Sequence, residues 1–145
     1  MSNRLSRKTG KTRSPRSLTA SGWLKPTRWQ ISRQEAADAL LMPIERIVKV
    51  YPKRHQVIVV YLNEQSQKCS SFFSYRLFAR WQTEAIAGIL SCKNLEVLAN
   101  LEEVVQYDIQ RFNYLPEMAD AIWDALLDHI TRLAVAERFA KEAVK

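Results

Sequence analysis

The first 34 residues of the chain carry basic side chains and no acidic ones. They contain nine lysines and arginines, and the first carboxylate is that of Glu35. Lysine and arginine side chains neutralise the phosphates of nucleic acids and release condensed counterions, which favours binding to any base sequence. This pattern predicts a nucleic-acid interface formed by Arg4, Arg7, Lys8, Lys11, Arg13, Arg16, Lys25, Arg28 and Arg33.

The excess positive charge belongs to this N-terminal segment. The whole chain has a formal net charge of +7, whereas residues 35–145 hold 13 basic and 15 acidic residues. Residues 1–22 consist largely of Ser, Thr, Arg and Lys, and such a composition buries too little apolar surface to offset the entropy of ordering. We therefore expect a disordered basic tail over 1–22 and a single domain over 23–145. A transit peptide is an alternative for 1–22, although its apolar residues are few.

Residues that could support catalysis or bind a metal are scattered. The candidate ligands are His55, Cys69, Cys92 and His129. They show no C-x-x-C or H-x-x-x-H spacing, and neither histidine lies in a nucleophile motif such as G-x-S-x-G. With three glycines, the chain offers no phosphate-binding loop. A row of carboxylates at a spacing of four predicts the solvated face of a helix: Asp120, Asp124 and Asp128. We expect no enzyme, no metal and no cofactor.

Residues 34–50 give an alternative interpretation as a helix-turn-helix. Small and apolar residues occur at spacings that suit two crossing helices, with Pro43 in the turn. Arg46 and Lys49 would then face DNA from the second helix. The second helix would consist largely of β-branched residues, whose helix propensity is low. This favours a strand over residues 44–51.

Trp23 and Trp29 lie among basic residues just after the predicted tail. Exposed tryptophan pairs are unusual, so one interpretation is an extended arm that docks on the domain. The other is a stacking platform for bases.

The elements that position these groups are organised around residues 57–62, a run of six apolar residues that includes four β-branched ones. A run of this length and composition predicts a strand, and its two apolar faces predict cover on both sides. Residues 44–51 and 69–75 are expected to flank it as antiparallel strands. Ser32 and Glu35 form a capping box that begins a short helix. Apolar stripes after Leu77 predict two to three further helices, the last opening at Pro116.

The expected fold class is therefore α+β, with a three-stranded antiparallel meander, a short N-terminal helix and two to three C-terminal helices. The expected function is that of a small non-enzymatic regulatory or accessory protein that binds nucleic acid without sequence preference. The rival is an assembly or adaptor factor that binds a protein partner or a second copy through a C-terminal helical face with Trp123 and Leu127. Eighteen consecutive apolar residues occur nowhere, and the cysteines are isolated, so we expect no membrane partner and a cytoplasmic location.

Overall fold

The computed structural model describes residues 16–144, and this range has the expected α+β fold. Its α-helices are α1 (Arg33–Leu40), α2 (Ala79–Leu90), α3 (Leu95–Arg111) and α4 (Pro116–Val144). Its strands are β1 (Ile47–Pro52), β2 (Gln56–Leu62) and β3 (Lys68–Ser74). Short 3₁₀ turns occupy Pro26–Arg28, Ile44–Arg46 and Tyr75–Leu77. None of the helices between residues 16 and 144 combines the length and the apolar composition needed to cross a membrane.

The sheet is an antiparallel meander in the order β1-β2-β3. Ile47 pairs with Tyr61 whereas Lys49 pairs with Val60, so β1 contains one extra residue, a β-bulge at Val48. The bulge places Ile47 and Val50 on the same face although they are three residues apart. This spacing imitates the period of a helix, which is why the sequence of this segment was ambiguous.

The helix-turn-helix interpretation of residues 34–50 is wrong. Its second helix would span residues that form β1, whose backbone pairs with β2 from Ile47 to Pro52. β-branched side chains fit a pleated sheet better than a helix, and this preference prevails here. Arg46 and Lys49 therefore do not lie on a recognition helix.

The two faces of β2 differ, contrary to the expectation that both are covered. Val57 and Val59 are fully buried against the helices. Ile58 and Val60 point to the opposite face and are only half-buried, and their neighbour Phe72 is 61% exposed. Three helices follow the sheet, within the predicted two to three, and they share one buried core with its inner face and with α1.

The N-terminal segment joins the core earlier than the predicted boundary at residue 22. Ser17, Leu18 and Thr19 are buried, and Leu18 is 2% exposed. A turn follows, in which Gly22 has the positive φ of 85° that favours glycine. The expectation of disorder therefore fails for 17–22, and the part of it that concerns 1–15 lies outside the described residues.

A buried ion pair fixes this segment to the helices. The guanidinium of Arg76 donates to Asp108 from Nε at 2.8 Å and from Nη2 at 2.7 Å. The same carboxylate accepts from the Leu18 backbone N–H at 2.9 Å and from the Tyr114 hydroxyl at 2.5 Å. Burial and the Asp108 charge raise the pKa of Tyr114, so its hydroxyl remains a donor. The Arg76 guanidinium carbon also lies 4.4 Å from the centre of the Trp81 ring.

The first helix has the predicted start and an unusual end. Ser32 Oγ accepts from the Glu35 N–H, and Glu35 accepts from the Ser32 N–H, which completes the capping box. Arg80, from α2, donates to both oxygens of Glu35 and holds the pKa of that carboxyl below its usual value. Leu41 ends the helix in the left-handed conformation, with φ of 56°.

Candidate nucleic-acid interface

Four of the nine predicted basic residues lie within the described part of the chain. Arg4, Arg7, Lys8, Lys11 and Arg13 lie outside the described residues. Arg16, Lys25 and Arg28 are exposed. Arg33 is exposed as well, but it has a structural role, because its Nε donates to the Ile47 carbonyl at 2.8 Å and its Nη2 to the Ile44 carbonyl at 3.1 Å. These bonds fasten α1 to β1.

Of the two residues proposed for a helix-turn-helix, Arg46 ends the 3₁₀ turn before β1 and Lys49 lies on β1. Arg46 donates from Nε to the carbonyl of Leu62 at 2.7 Å, which fastens the start of β1 to the end of β2. Lys49 is exposed, and its Nζ lies 5.3 Å from the centre of the Tyr51 ring. Of the pair, Lys49 is therefore the one free to meet a ligand.

The uncovered side of the sheet brings together basic and aromatic residues that the sequence did not single out. We call it the open face; it consists of Lys49, Tyr51, Ile58, Val60, Lys68, Ser70 and Phe72. Tyr51 pairs with Ile58, and Ile58 pairs with Phe72, so these side chains form one row across the three strands. Directly opposed side chains in such a sheet lie about 5 Å apart. Tyr51 is 41% exposed and Phe72 is 61% exposed, which leaves both rings accessible.

The open face is electrostatically positive. The three strands contain Lys49 and Lys68 and no acidic residue, and the β1–β2 turn adds the exposed Lys53 and Arg54. Glu64 is the sole acidic residue between positions 46 and 83, which hold seven basic residues. Residues 84–145 carry 11 acidic and six basic residues, so the sheet is basic and the helices are acidic. Because the net charge of residues 35–145 as a whole is close to zero, it did not reveal that the basic and acidic residues lie in different parts of the domain.

The N-terminal segment meets the sheet at the β1–β2 turn. Thr19 Oγ1 lies 2.6 Å from His55 Nδ1, and Arg54 Nη2 donates to the Ala20 carbonyl at 3.4 Å. A hollow of about 360 Å³ lies between the segment and the sheet, lined by Ser17, Thr19, His55, Gln56, Ser74, Arg76 and Phe112. The Tyr51–Ile58–Phe72 row is one residue pair from this turn. The chain therefore leads from its basic N-terminal segment directly to the aromatic end of the open face.

The two N-terminal tryptophans dock on the domain, as the first of the two interpretations expected. The Trp29 ring makes edge contacts with Tyr75 at 5.6 Å and with Trp81 at 6.2 Å between ring centres. Trp23 and Trp29 are half-buried against the core and line a shallow hollow beside Lys25 and Arg28. They therefore offer less free ring surface than Phe72.

The candidate ligands and acids for other chemistry remain apart. His129 is buried, with Nε2 at 2.7 Å from the Cys92 carbonyl, while His55 contacts Thr19. Between residues 16 and 144 no three His, Cys, Asp or Glu side chains are grouped so that they could hold a metal ion. The acidic row of α4 is exposed along its length, as expected for a solvated face: Asp120, Asp124 and Asp128.

Comparisons with known proteins supply no relative for this chain. No protein-family model matches the sequence, and no significant match was found among curated proteins or solved structures. The function is therefore inferred from the chemistry of the chain's own surfaces.

Proposed function

We propose that the chain is a small non-enzymatic accessory protein that binds single-stranded nucleic acid without sequence preference. The observation that carries the proposal is the row of exposed Tyr51 and Phe72 on a basic sheet face, next to the point where the basic N-terminal segment joins the domain. In this mode the N-terminal lysines and arginines neutralise phosphates, and the open face stacks bases.

Single strands suit this surface better than duplexes. The rings of Tyr51 and Phe72 are accessible from the open face, and base–aromatic stacking requires bases that are not already stacked on both sides. Such stacking contributes about 1–3 kcal/mol per base and tolerates every base. Lys49 and Lys68 lie on the two outer strands, both on the side of the aromatic row toward the Leu62 end of β2, where they can meet the phosphates of a strand that crosses the sheet.

The experiment is a fluorescence-anisotropy titration of the full chain with labelled single-stranded DNA, single-stranded RNA and duplex DNA at several salt concentrations. We expect single strands to bind more tightly than the duplex, with affinity falling steeply as salt rises. The Tyr51→Ala, Phe72→Ala double variant should lose single-strand affinity with little change in salt dependence. Val97→Ala, which truncates an exposed side chain on α3, is the matched control.

Charge reversal tests the contribution of the N-terminal segment. Glutamates at Arg7, Lys8, Lys11 and Arg13 should weaken binding equally for all base sequences and flatten its salt dependence by about 0.7 per lost phosphate contact. Lys93→Glu, an exposed reversal on the helical side, serves as the control. Binding that both sets of variants leave intact, or that is insensitive to salt, would contradict the proposal.

The rival function, an assembly factor that acts through its C-terminal helices, has support from a different observation. Leu127 is 42% exposed and Phe139 is 63% exposed on α4. Trp123, however, is half-buried against the core, so this part of the predicted face is less accessible. A chain that acts only as an assembly factor should show no salt-sensitive binding to single strands, whereas nucleic-acid binding should weaken steeply with salt.

A further inference from the structure

The second half of α4 has no cover within the described chain. Every residue from Ala134 to Ala143 is exposed, a stretch about 15 Å long at the rise of an α-helix. Val135 is 45% exposed and Phe139 is 63% exposed. Helical stability in proteins comes mainly from packing of an apolar face, and an unpacked stretch of this length is marginal in water. The apolar side chains on this stretch point to a partner that covers it.

Charge is distributed unequally along the same helix. The first half, residues 116–128, contains four acidic residues and no basic one: Glu117, Asp120, Asp124 and Asp128. The second half, residues 129–144, contains three basic and two acidic residues: Arg132, Arg138, Lys141, Glu137 and Glu142. Two copies of α4 placed antiparallel would set the acidic half of each against the more basic half of the other.

We propose that this surface binds a second copy of the chain, with the two α4 helices antiparallel and the two-fold axis level with Ile130. Full overlap of Pro116–Val144 with itself places the axis there, because residue 130 is the middle of the helix. The uncovered half of each copy then lies along the packed half of the other. A two-fold interface of this kind is closed, so it ends at a dimer.

The residues that meet in this register are complementary. Arg132 lies level with Asp128 of the second copy, Val135 with Ala125 and Phe139 with Ala121, by symmetry about position 130. At 100° per residue, Asp128, Val135 and Phe139 fall within about 40° around the helix axis, so they share one face. Ala121 and Ala125 are small and half-buried, which leaves room for the larger side chains opposite them.

The charge pattern of α4 favours a second copy of the chain over nucleic acid or the helix of another protein. The acidic first half of α4 repels nucleic acid, which excludes this face from the interface proposed above. A foreign helix would need the same combination of charges and apolar groups that α4 itself provides. The inference does not depend on nucleic-acid binding, and the dimer is expected in its absence.

The test measures the mass of the full chain in solution by sedimentation equilibrium, without nucleic acid. We expect a dimer, and we expect Phe139→Asp to weaken it about tenfold or more because a charge then enters the apolar contact. Leu90→Asp is the control for Phe139→Asp: it introduces the same charge at an exposed apolar residue of α2, 42% exposed, and should leave the dimer unchanged. A monomeric full chain, or a Phe139→Asp variant that dimerises normally, would overturn the proposal.

A mixing experiment tests the register and does not depend on any one variant. Arg132→Asp and Asp128→Arg should each be monomeric alone, because each homodimer would oppose like charges twice. Mixed in equal amounts they should form a heterodimer, since both contacts then join opposite charges. Circular dichroism of each variant confirms that it is folded. Failure of the mixture to associate would refute the antiparallel register.

Discussion

Asp108→Asn is the most informative single change, because the Asp108 carboxylate joins three parts of the chain. It is 0% exposed and accepts hydrogen bonds from Arg76, from the backbone of Leu18 and from Tyr114. Asparagine has nearly the same shape but no charge, and one of its two terminal atoms is a donor. The variant therefore keeps the packing while leaving the 3% exposed Arg76 without a counter-charge and at least one buried donor without an acceptor.

The expected cost follows from these contacts. Breaking a buried ion pair by removing one partner costs about 3–5 kcal/mol, because the remaining charge is uncompensated. The Trp81 and Phe112 rings lie 4.4 and 3.8 Å from the Arg76 guanidinium carbon. Their cation–π interactions offset part of the lost stability but do not replace the carboxylate charge. A domain of this size has a total stability of about 5–15 kcal/mol, so the variant should be folded only marginally.

The measurement is urea unfolding followed by circular dichroism, together with hydrogen exchange at the Leu18 amide. We expect the unfolding midpoint to fall sharply and the Leu18 amide to exchange faster, since it loses its acceptor. Glu137→Gln is the control, because its ion pair with Lys141 spans 4.0 Å between well-exposed side chains and should contribute less than about 0.5 kcal/mol. A loss below about 1 kcal/mol for Asp108→Asn would refute the reasoning that an uncompensated charge remains buried.

Three further predictions concern the sheet, a buried hydroxyl and a helix end. Val59→Asp should unfold the domain, whereas Val60→Asp on the open face should remain folded; circular dichroism separates the two. Burial raises the pKa of Tyr75 to about 12 from an ordinary value of 10.0, so its contribution to stability is complete below about pH 10 and is lost as the pH rises toward 12. In Tyr75→Phe the urea unfolding midpoint should fall less between pH 8 and pH 12 than in the unchanged chain. If the midpoint depends on pH equally in both, the role given to Tyr75 is wrong. Leu41→Gly should raise the free energy of unfolding by about 1 kcal/mol, because glycine adopts the left-handed conformation without strain; a lower melting temperature would contradict this.

Much of the fold follows from local patterns in the sequence. The Ser32–Glu35 capping box, the β-branched run at 57–62 and the proline at 116 each specify an element through interactions among near neighbours. The meander follows because short turns join the strands. Predictions that depended on such local signals were confirmed.

The expectations that failed depended on partners distant in the chain. Leu18 is one apolar residue in a polar segment, and its burial requires Asp108, 90 positions away. Nothing in the sequence around Asp108 distinguishes it from an exposed helical carboxylate. The cover of β2 depends likewise on where the later helices pack, which a run of apolar residues does not specify.

The candidate interface was predictable only in part. The charge of the N-terminal segment can be counted directly, and that count gave nine basic residues, of which Arg16, Lys25, Arg28 and Arg33 lie within the described residues. The open face required the pairing of three strands, because Tyr51 and Phe72 lie 21 positions apart and only the sheet places them in one row, on either side of Ile58. A count of charge in shorter segments would have revealed the basic stretch from 46 to 83.

The bulge in β1 has a consequence for how the chain tolerates changes of length. Losing one residue from a strand normally moves every later side chain to the opposite face. Val48 is the extra residue, and without it Ile47, Lys49, Val50 and Tyr51 would alternate regularly between core and open face. Deleting Val48 should therefore preserve both the core and the aromatic row. Deleting Val50 should instead turn the Tyr51 side chain from the open face to the core face. Melting curves of the two deletion variants would show whether β1 contains one position at which the chain can shorten by one residue and remain folded.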